Sequence, residues 1–290
     1  MPAGGTFQGR PPPRQRRSYE DLEERWSAVS RCDRRAEVVA VDWLTRTGTL
    51  RLGFEVTDGK PFEFVPGNFL RIERHDPEKG YHRGTYCIAS PPSEYHRFDL
   101  LVRVVSPTGM SGHLAGLRLG DEIAFRGPTG RSMLRLADQA SDLVLIATGV
   151  GVAPLYSLAS TLLRNGDERR PIALHWGLRS QDDLCLTEEL ARLAAAHANF
   201  AYSVTLSQPH EGWDGRYGRL TASIELDLLV PGRRYFLAGN GAMIEELVAA
   251  LTELGVALEA IYEEPYFNAR HVPDPAAVAA LIERLARQPE

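Results

Sequence analysis

The chain holds 290 residues, 43% hydrophobic and 24% charged, with a formal net charge of −5. That length suggests about two globular domains, and the negative balance argues against nucleic acid as a partner held by bulk electrostatics. No apolar run reaches the length of a membrane span, and the opening MPAGGTFQGRPPPRQRRS has no apolar core of a secretory signal, so no membrane association and a cytoplasmic location are expected. The three cysteines (Cys32, Cys87 and Cys185) are far apart, which argues against a disulfide framework. Three are also too few for the four thiolates of an ordinary iron–sulfur cluster.

Residues 1–33 read as a proline- and arginine-rich tail that ends in a short helix, SYEDLEERWSAV, with Ser18 as its cap. Over 34–133 the pattern is mainly short strands: AEVVAVDWLT, TLRLGFEV, FEFVPGNFLRI, TYCIAS, FDLLVRVV and DEIAFRG, separated by turns such as TDGKP and HDPEKG. Such spacing predicts a β-sandwich or a small barrel. One short helix, MSGHLAGL, interrupts it, with Ser111 a candidate cap.

From 134 to 268 the rhythm becomes strand, helix, strand. DLVLIAT is a continuous apolar run, as in a parallel strand covered on both faces. PLYSLASTLLRNG, TEELARLAAAH (capped by Thr187) and GAMIEELVAALTELG read as helices, and PIALHWGL, FAYSVTLS, RYFLAGN and LEAIYEE as strands. Alternation of this kind predicts a doubly wound parallel sheet with helices, an α/β unit. Residues 269–290 read as a tail with one helix capped by Asp274.

Three glycine turns carry the chemistry. ATGVGVAP, Ala147 to Pro154, follows the first parallel strand; Gly149 and Gly151 permit a tight turn, and Pro154 suits the first position of the helix that follows. A helix start there offers free N–H groups to a phosphate, although tight packing alone also selects glycine. Gly239, Asn240 and Gly241 repeat the theme at the end of a later strand, so both turns belong at the edge where doubly wound sheets bind ligands. Gly109, Ser111 and Gly112 form a possible second anion site in the barrel region.

Seven motifs in order (PGNF, RGTYCIAS, GMSGHL, ATGVGVAP, GLRSQDDL, GNGAMI and EEPYFN) resemble the ferredoxin–NADP reductase superfamily of FAD-containing oxidoreductases, over about 34–268. The resemblance implies a six-stranded antiparallel FAD-binding β-barrel followed by a nucleotide-binding α/β domain. With it come FAD and NADP(H), with NADH the alternative, and a ferredoxin, a flavodoxin or another iron–sulfur electron carrier as partner. It implies that the barrel strand end grips the flavin through Arg83, Tyr86, Cys87, Ile88 and Ser90. Tyr86 would pack on the flavin, Ser90 would contact its N5 region, and Arg83 would pair with the pyrophosphate beside Met110, Ser111 and Gly112. Two departures stand out: Cys87 replaces the usual serine or threonine, and Arg83 lies three residues before Tyr86 rather than two, so that a bulge would be needed to restore its reach.

The same resemblance assigns the nicotinamide dinucleotide to Thr148, Gly149, Gly151, Pro154, Gly239, Asn240, Gly241 and Met243. It assigns a 2′-phosphate to Arg179, Ser207 and Arg219. Ala238 stands at the family's frequent cysteine, and Gln208 follows Ser207 where NADPH-specific members have arginine. Glu264 is the proton-handling acid, and Tyr266 or Phe267 lies near the flavin or packs in the core. The implied activity is ferredoxin–NADP reductase-like hydride exchange followed by electron passage to a carrier, with no metal site. Two alternatives stay open: the reductase of an oxygenase system whose iron–sulfur carrier is a separate chain, and a non-catalytic flavin or nucleotide sensor.

Overall fold

A computed structural model describes residues 32–76, 80–92, 96–137, 142–164, 166–224, 229 and 231–266. Both expected tail helices, and Phe267, lie outside the described residues. The first sheet comprises β1 (Arg34–Trp43), β2 (Thr49–Val56), β3 (Phe69–Asp76), β4 (Gly80–Cys87), β5 (Arg97–Arg103) and β6 (Glu122–Thr129). It is antiparallel with order β4-β3-β6-β1-β2-β5, and the Ile88–Leu100 bridge brings its two edge strands together, so that the sheet curls on itself. Alternation drives the curl: Ala36 and Val38 of β1 are buried while Arg35 and Glu37 are not. Inside, Phe54 stacks on Phe98 with centroids 5.1 Å apart, and Phe62 and Phe125 close around them. Helix α1 (Met110–Ala115) sits between β5 and β6 and contributes Met110 and Leu114 to this core.

Several expected strands have different limits; in LEAIYEE, for one, Leu258–Ala260 forms a 3₁₀ turn and the strand starts at Ile261. FEFVPGNFLRI is not one strand: β3 begins only at Phe69. Gly67 adopts φ +95°, and Asn68 Oδ1 accepts the Val65 N–H at 3.0 Å, so the chain turns before it pairs. β4, by contrast, starts at Gly80 and already contains His82, Arg83 and Gly84, because each pairs with β3.

The second sheet is parallel throughout, in the order β10-β9-β8-β7-β11-β12. Its strands are β7 (Leu143–Thr148), β8 (Ile172–Leu178), β9 (Phe200–Leu206), β10 (Arg216–Tyr217), β11 (Arg234–Asn240) and β12 (Ile261–Tyr266). Between and beside them run α2 (Leu134–Ala137), α3 (Val152–Arg164), α4 (Thr187–Ala196), α5 (Leu220–Ser223) and α6 (Gly241–Glu253). Leu143 to Ala147 are all buried, as the apolar run requires. The very short α2, β10 and α5 carry too few residues for a periodic signal and were not anticipated.

Apolar clusters cover both faces of this sheet, and one continues into the barrel through Ala89, Leu101 and Met133. Polar contacts tie the same interface. Arg103 Nη1 donates to Asp183 Oδ1 at 2.8 Å, Arg51 Nη2 to Glu189 Oε1 at 2.6 Å, and Ser157 Oγ to the Ser90 carbonyl at 2.7 Å. Thr187 does not cap α4: Leu186, at φ 55°, is the cap residue, and Thr187 is the first helical position. Among the described residues no helix is long and apolar enough to cross a membrane.

Candidate active site

The chain leaves β7 to build β8, β9 and β10 on one side and returns to β11 on the other. The carboxyl ends of β7 and β11 therefore flank the switch point of the sheet, where such folds bind ligands. The two glycine turns meet there. A Cβ at Gly151 would lie 2.4 Å from the Ala238 carbonyl oxygen, and one at Gly239 (φ +119°) 2.5 Å from the Thr148 carbonyl oxygen. These glycines exist because backbone presses on backbone. Gly149 differs: it has φ +54° and open space beyond it, so its surface is free for a ligand. Its carbonyl accepts the Trp176 Nε1–H at 2.8 Å. The Asn240 N–H donates to Thr148 Oγ1 at 2.8 Å, and Asn240 Oδ1 accepts the Ala242 and Met243 N–H groups, which caps α6.

A cleft of about 570 Å³ opens above these turns, lined by Thr148, Gly149, Arg179, Ser207, Arg219, Asn240 and Met243. It thus gathers residues from four strand ends. Trp176, Gly177, Thr205, Thr221 and the barrel residue Arg103 also line it, and none of these was picked out in the sequence. The predicted Gly151, Pro154, Gly239 and Gly241 are not among the residues that line it. Pro154 is the third residue of α3, not the first, because a 3₁₀ turn over Gly149–Gly151 precedes the helix. Its missing N–H still falls in the first turn, where none is needed.

The cleft arginines differ in their partners. Arg219 Nη2 donates at 2.6 Å to Glu246, whose side chain is fully buried and also accepts from Thr221. Arg103 is matched by Asp183. Arg179 donates from Nε to the neutral amide oxygen of Gln208 at 2.9 Å. Among the described residues, Arg179 is therefore the cleft arginine not bonded to a carboxylate.

At the barrel strand end, the Tyr86 ring is half-buried and lies along the strand over Gly84, where a Cβ would come within 2.5 Å of the ring. Burial pushes the Tyr86 hydroxyl up to about 12. Cys87 is buried and lies beside the Tyr266 side chain, which brings the barrel motif to the end of β12. Burial, together with the nearby Glu264, holds the Cys87 thiol in its neutral form. In register, Tyr266 pairs with Asn240 and Glu264 with Ala238, one step from the nucleotide cleft.

Glu264 is raised to about 7, because burial outweighs both the Tyr262 hydroxyl 3.3 Å from Oε2 and the positive charge of Arg131. Tyr262 and Arg131, which stack at 5.0 Å, were also unremarked in the sequence. They carry no local motif, since only the folded sheet brings 131 beside 262.

One expectation changes, and two features of the flavin motif can be placed. Ser111 does not cap α1: the cap position is Gly109, and Ser111 Oγ instead lies within reach of the Val105 and Ser106 N–H groups. The bulge that could have restored the reach of Arg83 is absent, since β3 and β4 pair without a shift from Phe69–Cys87 to Asp76–Gly80. Ser90 does not join the Tyr86–Cys87–Tyr266 group: its Oγ accepts the Asp99 N–H at 3.0 Å, and it lines a separate recess with Arg51 and Tyr156. Ile88 is buried in the barrel core, Met110 packs beside Gly84, and Gly112 packs tightly on the Pro107 carbonyl.

The residues fit a flavin dinucleotide and a pyridine nucleotide. An aromatic ring lies over bare backbone at a strand end, a protonatable carboxyl stands nearby, and a cleft at a glycine-lined switch point adjoins both. Comparison with known proteins agrees. The family model described as "oxidoreductase FAD-binding domain" matches residues 43–133, and that described as "oxidoreductase NAD-binding domain" matches residues 145–248. The chain is 33% identical over 224 residues to ferredoxin–NADP reductase B of Sorangium cellulosum, covering 74% of this chain and 90% of that protein. It is 31% identical over 210 residues to the ferredoxin–NAD(P)(+) reductase component of the naphthalene 1,2-dioxygenase system of Pseudomonas putida, covering 72% of this chain and 62% of that one. NADH-cytochrome b5 reductase 1 of Ajellomyces capsulatus is 29% identical over 179 residues, which cover 59% of this chain and 57% of that protein. Among solved structures, the Amycolatopsis cytochrome P450 reductase GcoB superposes with a TM-score of 0.70 at 27% identity, covering 81% of this chain and 70% of that one. Several of these relatives are longer: the chain spans about three-fifths of the length of the naphthalene dioxygenase reductase.

Proposed function

We propose that this chain, which belongs to the ferredoxin–NADP reductase superfamily of FAD- and NAD(P)-binding oxidoreductases, moves electrons from a reduced nicotinamide through FAD to a separate one-electron carrier, a ferredoxin or a flavodoxin. The observation that carries the reading is the contact between Cys87, at the barrel strand end, and Tyr266, whose backbone neighbour Asn240 lines the nucleotide cleft. Through it the two half-sites adjoin, as hydride exchange demands.

FAD, when bound, supplies two-electron acceptance and one-electron release. The chain's own residues do the rest. Gly149, with open space beyond it, presents backbone to the dinucleotide's phosphates. Tyr86 offers its ring face to the flavin. Glu264, raised to about 7, can keep or release a proton at Oε2 near neutral pH. The thiol of Cys87, kept neutral by burial, replaces a hydroxyl as the small polar group beside the flavin. Cys32, Cys87 and Cys185 are free thiols, fewer than the four an ordinary cluster uses, which leaves the one-electron step to a carrier outside the described residues. A close variant of the same reading, service to an oxygenase, is favoured by the dioxygenase reductase among the relatives.

NADPH is the proposed donor, and Arg179, with no carboxylate attached, is the residue proposed to meet a 2′-phosphate. The resemblance to NADH-cytochrome b5 reductases and the neutralised Arg219 favour NADH instead. Stopped-flow mixing of the flavin-loaded chain with each nicotinamide decides both points. Rapid bleaching of the flavin is expected, faster with NADPH, followed by reduction of an added ferredoxin or flavodoxin. No bleaching with either nicotinamide would end the reductase reading.

A further inference from the structure

We propose that the guanidinium that meets the FAD pyrophosphate comes from Arg74 of β3, not from Arg83 of β4. The inference rests on the FAD-binding reading above and concerns which side chain holds the dinucleotide. It begins with strand parity. Side chains alternate along an extended strand, so residues three apart point to opposite faces. β4 pairs with β3 in unbroken register from Gly80 to Cys87, with Arg83 opposite Glu73. Arg83 is exposed, and on the face away from the Tyr86 ring. With no bulge in this ladder, its charge is not brought round.

The face that Tyr86 shares is made by Gly84 and His82 of β4 and, directly across, by Leu70, Ile72 and Arg74 of β3. The position two residues before Tyr86, where the family keeps its arginine, is Gly84, which contributes no charge. The next rung on the same face pairs His82 with Arg74. Arg74 is the cation of this row. It reaches across to α1, where Nη1 lies 3.1 Å from His113 Nδ1. Arg74, His82, His113, Gly109 and Gly112 line a recess of about 350 Å³ beside the segment that carries GMSGHL. Asp121 closes the recess, and its Oδ2 already accepts the Arg118 N–H at 2.7 Å. The recess begins one rung beyond Gly84, whose neighbours are the Tyr86 ring and Met110. A dinucleotide with its ring system on Tyr86 therefore meets Arg74 as it runs toward α1. Arginine suits that place because its fork donates two bonds to a phosphate.

The test titrates FAD into the flavin-depleted full chain and follows the quenching of flavin fluorescence at low and high salt. Arg74→Gln is expected to weaken FAD by about tenfold to hundredfold, the range of a lost charged hydrogen bond. It should also flatten the salt dependence of binding, because the lost contact is an ionic one. Arg74→Lys should recover part of the affinity and most of the salt dependence. Arg83→Gln should stay within about twofold of the wild type, as suits an exposed charge off the site. Arg83→Gln weakening FAD as much as Arg74→Gln would overturn the assignment, as would an unchanged affinity or salt slope in Arg74→Gln. A wild-type chain that binds no FAD would be a different result, and would remove the FAD reading itself.

Discussion

Glu264→Gln tests the electrostatics of the site in one measurement. In the folded chain the carboxyl is raised from its ordinary 4.5 to about 7, chiefly by burial. Its proton is therefore held more tightly in the folded than in the unfolded state. Stability should fall as the pH rises from about 4.5 through about 7, because the folded state binds more protons over that window. Each pH unit of that interval is worth about 1.4 kcal/mol, so the ionised carboxylate costs the folded chain roughly 3 kcal/mol above pH 7, as an upper bound. Glutamine keeps the shape and an oxygen that accepts from the Tyr262 hydroxyl but cannot ionise. Urea unfolding of the flavin-depleted chain, wild type against Glu264→Gln, should give nearly equal stabilities at pH 4.5. The variant should pull ahead by up to about 3 kcal/mol at pH 8. Taking the difference between the two profiles cancels other groups that titrate in the window, including His113. Parallel profiles would refute the reasoning, and so would a wild type that gains on the variant as the pH rises.

Two further outcomes follow from the same geometry. Arg179→Gln should weaken NADPH by about tenfold and leave NADH nearly unchanged, measured as the dissociation constant of each nicotinamide; equal losses for both would remove Arg179 from the 2′-phosphate. Gly151→Ala should lower stability by about 1–3 kcal/mol or more, since its methyl group would sit 2.4 Å from the Ala238 carbonyl oxygen. A calorimetric melting temperature within a degree or so of the wild type would contradict that packing.

Much of the architecture was legible because it rests on periodicity. TLRLGFEV and RYFLAGN are strands with the limits their residues suggested, and DLVLIAT became a strand buried on both faces. ATGVGVAP and GNGAMI marked the switch point because a glycine where two backbones touch leaves a trace in sequence. Caps were less legible. Ser111 and Thr187 have the right chemistry, but a cap depends on a backbone angle one residue away, and Gly109 and Leu186 took those positions.

By itself, the sequence determined the two kinds of layer, their order and the edge of the parallel sheet at which ligands gather, because each follows from local patterning. Only the tertiary structure decided which face Arg83 turns to, that Cys87 meets Tyr266, that Glu246 claims Arg219 and that Glu264 is buried enough to hold its proton. The physical reason is the same in each case. Register, burial and ion pairing join residues that lie tens to hundreds of positions apart, and no local pattern records which of them will meet.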